Sequence, residues 1–402
     1  MKSSIALKSE FPIFEHHPSL IYLDSAASTQ KPKPVIDALT EFYTRHYGTV
    51  NRAVYTLARE ATDRYQQTRA KIKNHFNIAH EEEIIFTRGT TASINLVARS
   101  FGRAFLHPGD IVLVSEIEHH SNLVPWQMIC KERGVVLRFI PVNDLGELDL
   151  EAYYDLLDED VKIVSIAHIS NSIGTLHPIE EITRAAHAVG ARVCLDGAQS
   201  AGHMTIDLQQ LDVDFFAFSG HKMYGPTGVG VLYGKRELLE EMEPVEGGGD
   251  MIERVTLDKT VYAPLPVKFE AGTPMVAEVI GLGAAIDFLE EIGLETISAM
   301  EHELLTYATQ KLEQIPGLRI IGTAPNKGAI ISFVVDGIHS LDIATLLDCK
   351  DIAIRSGHHC SQPTMARFGV LHTARLSFGL YSTHEEIDSF IQALQSILDV
   401  IG

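Results

Sequence analysis

The chain has 402 residues, more than one simple hydrophobic core normally serves, so two domains are expected. It carries 33 basic and 53 acidic residues, and the formal charge of -20 argues against nucleic acid as a partner, because such a surface repels phosphate backbones. The 4 cysteines include no Cys-x-x-Cys pair, which favours a reducing compartment. The sequence contains neither a secretory signal nor an apolar run of about 18 residues, so we expect a cytoplasmic protein without a membrane partner.

In the first part of the chain, short apolar runs alternate with amphipathic stretches. Strands are predicted at 20–24, 83–87, 111–114, 135–141, 161–168, 191–196, 215–218 and 229–233. Helices are predicted at 35–47, 65–76, 94–101, 150–157 and 179–189. Short apolar strands that alternate with helices indicate an α/β fold whose sheet is mostly parallel.

The composition changes near the triple glycine at 247–249, and a smaller α+β unit is predicted beyond it. Its helices are predicted at 276–292, 294–315, 341–347 and 385–400, and its strands at 318–321, 329–335, 352–355 and 375–378. We place a large domain at 22–284. Residues 1–21 and 285–402 are assigned to an N-terminal arm plus a small C-terminal domain.

Lys222 ends the motif Ser219-Gly220-His221-Lys222, which joins two predicted strands. A lysine amine in a partly desolvated place loses basicity and becomes a nucleophile toward carbonyls. A Schiff base to pyridoxal phosphate requires such an amine. A surface lysine in a turn is the alternative.

Two junctions upstream carry groups that suit a flat, phosphorylated cofactor. Arg88-Gly89-Thr90-Thr91 lies between a strand and a helix, where free amides, the helix dipole and the two hydroxyls favour a phosphate. A plain N-cap is the alternative there. Asp196 ends a strand, from which its carboxylate either pairs with a protonated ring nitrogen or caps the next helix, and Gln199 follows within reach of a phenolic oxygen.

An imidazole and an arginine add further candidates. His119 and His120 follow the strand at 111–114, where one ring can stack on a cofactor or relay a proton, and residue chemistry does not distinguish the two. No further ligand is spaced to complete a metal site, so an organic cofactor is favoured. Arg375 suits a substrate carboxylate, with a structural ion pair as the alternative.

The motif Arg355-Ser356-Gly357-His358-His359-Cys360 places a thiol in a polar loop beside one arginine and two histidines. These surroundings favour a reactive thiol at Cys360. The other cysteines, Cys130, Cys194 and Cys349, stand in apolar or helical contexts and are expected to be buried and inert.

Together these motifs resemble those of the cysteine desulfurases in the class V aminotransferase group, in particular the SufS type, which includes selenocysteine lyase-like enzymes. The resemblance extends from Tyr22 to the last helix, and the short loop with Pro363 close behind Cys360 is similar to that subgroup. It implies the fold type I of pyridoxal-phosphate-dependent transferases, a homodimer, and active sites at the subunit interface.

The resemblance also implies roles for individual residues. Lys222 would carry pyridoxal 5'-phosphate, His119 would stack on its ring, and Cys360 would carry a persulfide. Asp196 and Gln199 would contact the ring. The implied phosphate ligands are Thr90, Thr91, Ser219 and His221, with Thr273 reaching the partner subunit's phosphate. The implied substrate-binding residues are Asn171, Arg355 and Arg375.

The implied reaction converts L-cysteine to L-alanine and passes the sulfur through the persulfide to an acceptor protein, SufE-like or SufU-like, for iron–sulfur cluster assembly. A selenocysteine lyase and an aminotransferase of the same fold are the alternatives. An aminotransferase would not need Cys360 and would form a keto acid rather than alanine.

The chain departs from the family pattern at several positions. Family members show His-Arg-Gly and then a second histidine where this chain has Asn51-Arg52-Ala53-Val54-Tyr55. Ala92 stands where the SufS type often has an acidic residue, and Asp250 follows Gly249. These positions are expected near the dimer and acceptor surfaces, so they leave the sulfur acceptor and the handling of the persulfide open.

Overall fold

The structure, a computed structural model, describes residues 7–51 and 53–401. The first residues of the predicted arm and Arg52 lie outside the described residues. Helices span Ile13–His16 (α1), Lys33–Glu41 (α2), Thr56–His75 (α3), Thr90–Phe105 (α4), Val124–Arg133 (α5), Leu150–Leu156 (α6), Ile179–Ala188 (α7), Leu208–Leu211 (α8), Arg236–Glu241 (α9), Val276–Ile292 (α10), Leu294–Leu312 (α11), Ser340–Asp348 (α12), Gln362–Arg367 (α13) and His384–Ile401 (α14). Throughout 7–51 and 53–401, no helix has the length and the apolar character needed to cross a membrane.

The strands form one large sheet and three smaller pairings. Strands span Ile21–Tyr22 (β1), Ile84–Thr87 (β2), Ile111–Ser115 (β3), Val136–Ile140 (β4), Val161–Ala167 (β5), Arg192–Asp196 (β6), Phe215–Ser219 (β7), Gly230–Gly234 (β8), Ile252–Val255 (β9), Thr260–Tyr262 (β10), Leu318–Ile321 (β11), Ile330–Val335 (β12), Ile352–Ala353 (β13), Arg355–Gly357 (β14) and Thr373–Ser377 (β15). The large sheet has the order β2-β8-β7-β6-β5-β3-β4. The strands β4, β3, β5, β6 and β7 are parallel, whereas β8 is antiparallel to both of its neighbours.

Both faces of the large sheet are buried, which explains the continuous apolar runs of its strands. In β7, Phe215 and Ala217 pack into one hydrophobic cluster, and Phe216 and Phe218 pack into another. Side chains of α4 and α5 cover the first face, and those of α3, α7 and α10 cover the second. The predicted α/β class with a mostly parallel sheet is therefore confirmed.

A four-stranded antiparallel sheet of order β11-β12-β15-β14 forms the core of the second unit. Its hydrophobic cluster combines Phe333 and Leu376 from the sheet with Leu304 from α11 and Phe390 from α14. Strand β1, from the N-terminal part of the chain, pairs with β13 in parallel. The predicted domain boundary at 284 lies within α10, and the predicted division of the chain stays a prediction.

Several local predictions differ from the structure. Helix α3 begins at Thr56, nine residues before the predicted start. The prediction missed its first turns because the residues that they bury include the small Ala58 and Ala61, which give a weak apolar pattern. The predicted strand at 352–355 is two strands, since β13 pairs with β1 and β14 pairs with β15. Helix α5 and the β9–β10 hairpin were not predicted from the sequence.

Candidate active site

A cavity of about 280 Å³ lies at the carboxyl ends of the parallel strands, where ligands bind in open α/β sheets. Of the residues predicted to form the site, the cavity is lined by Thr90, Thr91, His119, Asn171, Asp196, Gln199, Ser219, His221, Lys222, Arg355, Cys360 and Arg375. Thr273 is the exception, and it lines an adjoining cavity of about 710 Å³. The larger cavity contains neither Lys222 nor Cys360 among its lining residues.

Lys222 lies in a short helical turn directly after β7, which brings its amine to the cavity. Burial lowers the pKa of the Lys222 amine to about 8, and the negative charge of Asp196 acts in the opposite direction. The carbonyl of the preceding residue, His221, accepts hydrogen bonds from the Thr29 amide (3.0 Å) and the Lys31 amine (3.1 Å). These contacts fix the backbone that presents a lysine of reduced basicity.

Asp196 ends β6 and is buried. One of its oxygens accepts a hydrogen bond from the Ala198 amide at 2.9 Å. Burial raises the pKa of Asp196, and the Ala198 amide and the charge of Lys222 oppose that effect. Gln199 donates its amide to the Ala26 carbonyl at 2.8 Å, so the Gln199 side chain has a fixed orientation at the cavity wall.

The His119 ring is oriented by Ser121. Its Nδ1 accepts a hydrogen bond from the Ser121 amide at 3.0 Å and lies 2.7 Å from the Ser121 hydroxyl. Burial, followed by the positive charge of Lys222, lowers the pKa of His119 to about 3. A neutral, oriented imidazole with Nε2 protonated can stack on a flat ring and donate one hydrogen bond.

The other end of the cavity is built for an anion. Helix α4 begins there at Thr90, after Gly89 adopts a φ of 143° that favours glycine. The Thr90 amide donates to the Ser219 hydroxyl at 2.8 Å, and the two hydroxyls lie 2.7 Å apart. The N-terminus of a 16-residue helix with hydroxyls around it favours a phosphate.

Cys360 lies in the segment 358–362, here called the cysteine loop, and is exposed. The loop is joined to the residues after β5, because Asn171 donates its side-chain amide to the His359 carbonyl at 2.7 Å. Cys130 and Cys194 are buried as predicted, but Cys349 is exposed, so that prediction was wrong. Cys349 directly follows the last residue of α12, so it lies beyond the part of the helix whose apolar face is buried.

Arg375 and Arg355 share one carboxylate, that of Asp24. Asp24 accepts from Arg355 Nε and Nη2 at 2.9 to 3.1 Å and from Arg375 Nη2 at 3.0 Å. Arg375 also donates to the Asn171 carbonyl at 2.8 Å, and among the described residues its Nε has no hydrogen-bond partner. The ion pair that the sequence offered as an alternative is therefore present, and the Nε of Arg375 is buried without a hydrogen-bond partner among the described residues.

Sequence reasoning missed Asp24 and Ser121. Asp24 ends a predicted strand, and an acidic residue at that place was the only signal for it. Ser121 follows the two histidines directly, and its position two residues after His119 was the only signal for it.

The chain matches a known family over most of its length. The family described as aminotransferase class-V matches residues 21–390. The chain belongs to the aminotransferase class-V family. Within this family, a probable cysteine desulfurase of Halalkalibacterium halodurans is 49% identical, and the alignment covers 98% of each chain. The cysteine desulfurase of Dickeya dadantii is 47% identical over 98% of this chain and 97% of that protein.

Two further similarities within the family extend this result. The cysteine desulfurase of Synechococcus elongatus is 48% identical over 97% of this chain, which spans 63% of that protein's length. The structure of the cysteine desulfurase CsdA of Escherichia coli, in an S-sulfonic acid form, superimposes with a TM-score of 0.94 at 38% identity, covering 100% of both chains. These similarities confirm the predicted resemblance to the cysteine desulfurases, and they also confirm the predicted fold type.

The described positions that depart from the family pattern do not line the cavity of Lys222. The Asn51 amide donates to the Thr62 hydroxyl at 2.9 Å, and Tyr55 is exposed. Ala92 lines the larger cavity beside Thr273. None of these departures among the described residues lines the cavity of Lys222 and Cys360.

Replacing Asp24 by asparagine is expected to lower the free energy of unfolding by about 3 kcal/mol, because the buried Arg375 loses its counter-charge. Urea unfolding of the wild type and the variant measures the change. Asp37→Asn is the matched control, since Asp37 pairs with Lys33 on the surface and is expected to contribute less than about 1 kcal/mol. Equal losses in the two variants would show that Asp24 acts as an ordinary surface charge.

Proposed function

We propose that this protein is a pyridoxal-phosphate-dependent cysteine desulfurase that forms L-alanine and a persulfide on Cys360. The observation that carries the proposal is that Lys222 and Cys360, 138 residues apart in the sequence, line the same cavity. An amine of lowered pKa serves a carbonyl cofactor, and an exposed thiol serves as a sulfur acceptor.

The residues of the cavity fit pyridoxal 5'-phosphate, the cofactor of this family. Thr90, Thr91 and Ser219 would hold the phosphate at the N-terminus of α4. The buried Asp196 carboxylate would hold a proton on the ring nitrogen, and the neutral His119 ring would cover one face of the ring. Gln199 would contact the ring hydroxyl, and His221 would add to the phosphate site. When bound, the cofactor supplies a sink for the electrons released from the substrate's Cα–H bond.

The remaining residues bind the substrate and move its proton. Arg375, with Asn171 and Arg355 lining the same cavity, would hold the carboxylate of L-cysteine. The Lys222 Nζ would link to the cofactor in the resting enzyme and, once displaced by the substrate amine, take the proton from Cα. An amine whose pKa is about 8 is suited to take and return a proton near neutral pH.

The sulfur is transferred to the chain itself. The Sγ of Cys360 attacks the sulfur of the substrate, so that the Cβ–S bond breaks and an S–S bond forms. The electron pair of the broken bond stays on Cβ and takes a proton, which gives alanine. One L-cysteine and one thiol thus give one alanine and one persulfide, and the overall step needs no external oxidant.

The finer assignments are also part of the proposal. A SufS-type homodimer is supported by the exposed Thr273 and by Ala92, which line the larger cavity next to the phosphate end and leave room for residues of a second subunit. In the dimer, Thr273 would reach the partner subunit's phosphate. We further propose a cytoplasmic enzyme whose acceptor is a SufE-like or SufU-like protein serving iron–sulfur cluster assembly. The exposure of Cys360 supports transfer to such a protein.

The direct test is to supply L-cysteine to the purified, cofactor-loaded protein. We expect stoichiometric alanine in a single turnover without added thiol, and a mass gain of one sulfur atom on the peptide that contains Cys360. A selenocysteine lyase would convert selenocysteine to alanine but would not turn over L-cysteine. Formation of a keto acid instead of alanine would favour an aminotransferase, and negligible turnover of L-cysteine with or without an acceptor would refute the proposal.

A further inference from the structure

Hydrogen bonds connect the cysteine loop to the segment that contains His119. His120 makes these bonds. The backbone amide of His120 donates to the Cys360 carbonyl at 2.7 Å. The backbone amide of Gln362 donates to His120 Nε2 at 3.3 Å. The two bonds hold the loop at Cys360 itself and two residues after it, so His120 links the wall that would cover the cofactor to the loop that would carry the sulfur.

A second imidazole supports the loop from within. The ring of His358 lies 5.7 Å from the ring of His120, and its Nδ1 accepts a hydrogen bond from the Cys360 amide at 3.1 Å. His359 and Cys360 have φ angles of 51° and 55°. Residues with a side chain adopt this left-handed conformation at a cost in free energy, so the loop needs contacts that compensate for it.

Both rings act only as acceptors in these contacts. A ring nitrogen that accepts from a backbone N–H carries no proton, so each ring is neutral while its bond is formed. A second proton on the His120 ring would place its Nε2–H donor against the Gln362 amide, which is also a donor. Burial, followed by the charge of His358 on the loop, lowers the pKa of His120. In its own segment, His120 in turn helps to lower the pKa of His119.

We propose that His120 is a positioning residue that holds the cysteine loop closed at the cavity, and that protonation of the His120 ring releases the loop. The proposal rests on the proposed function, because the position of the Cys360 thiol matters when that thiol attacks the substrate. It assigns His120 a task different from that of its neighbour His119, whose ring faces the cofactor cavity. Loop closure thereby depends on pH in the range where histidine titrates.

Hydrogen exchange of the peptide that contains 358–362 measures loop opening in the cofactor-loaded protein. After correction for intrinsic exchange, we expect His120→Ala to lower the protection of this peptide at pH 7.5 by about fivefold to tenfold, as the loss of one hydrogen bond predicts. In the wild type, protection is expected to fall as the pH drops below about 6.5, because the open loop binds protons more tightly than the closed loop.

Two further variants separate positioning from a general structural role. His120→Gln keeps an acceptor oxygen that does not titrate, so we expect it to restore most of the protection at pH 7.5 and to flatten the pH dependence. His339→Ala is the matched control, since His339 also lies against a second histidine, His372, and also accepts a backbone hydrogen bond. It is expected to leave exchange of the cysteine loop unchanged.

Kinetics supply the readout that depends on the thiol. His120→Ala is expected to lower kcat for alanine formation by about fivefold to tenfold while KM for L-cysteine stays within about twofold, because the substrate carboxylate contacts are untouched. Equal protection in wild type and His120→Ala, or wild-type protection that does not change between pH 5.5 and 7.5, would overturn the proposal. Exchange can be measured without turnover, so absence of desulfurase activity would count against the proposed function alone.

Discussion

Replacement of Lys222 by alanine is expected to lower the rate of alanine formation by a factor on the order of 10⁴ or more, because one amine serves both as the cofactor attachment and as the base for Cα. Since burial lowers the pKa of Lys222 to about 8, about a quarter of its amines are neutral at pH 7.5, against about one in a thousand for an ordinary lysine. The variant therefore removes a nucleophile that ordinary surface lysines do not replace.

The spectroscopic counterpart uses borohydride. In the wild type, reduction is expected to fix the cofactor on the peptide of Lys222, and this peptide should stay unlabelled in Lys222→Ala. In cofactor-free wild type, the initial rate of capture should rise with pH and level off above about 8, because the protonated amine does not attack.

Lys327→Met is the matched control for this variant. Burial also lowers the pKa of Lys327 to about 8, but its amine donates to the Gly322 carbonyl at 2.6 Å and lies outside the cavity. Labelling and turnover should be retained in Lys327→Met. Capture of the cofactor at another lysine in Lys222→Ala, with activity preserved, would refute the assignment of Lys222.

The parts of the site that stand at strand ends could be predicted from the sequence. Asp196 ends β6 and His119 follows β3, and the carboxyl ends of parallel strands meet at one edge of a sheet. Asn171, which follows β5, was named from the family resemblance alone. A strand end is visible in a sequence as the place where an apolar run gives way to polar residues. The resemblance then added roles that the residue types alone left open, such as the choice between His119 and His120.

The parts that depend on contacts between distant segments could not be predicted. Asp24 matters because β1 pairs with β13 and brings its carboxylate to two arginines more than 300 residues away, and a two-residue strand gives no sign of its partner. The antiparallel direction of β8 was also hidden, because a strand buried on both faces has no alternation that reveals its neighbours. The burial of Cys349 was predicted wrongly for a related reason. A helical sequence pattern does not show which residues at the end of the helix are buried by the rest of the fold.

Replacement of Cys360 by alanine is expected to lower alanine formation by at least about 100-fold while the cofactor absorbance stays intact, because the attacking thiol is lost and the cofactor-binding residues are unchanged. The thiol lies on the loop at the cavity, whereas Asp196 lies on the large sheet and Lys222 lies in the turn that follows β7. Removal of the Cα proton and transfer of the sulfur thus depend on residues in different segments of the chain. The sulfur transfer can therefore be abolished while the cofactor site is kept.

The control for Cys360→Ala is Cys349→Ala. Both cysteines are exposed, but Cys349 is not among the residues that line the cavity, so its replacement should leave turnover within about twofold of the wild type. In Cys349→Ala the sulfur should still appear on Cys360, and in Cys360→Ala no peptide should gain sulfur. Persistent turnover of L-cysteine in Cys360→Ala would mean that the sulfur leaves without a persulfide on this chain, because Cys130 and Cys194 are buried and Cys349 does not line the cavity.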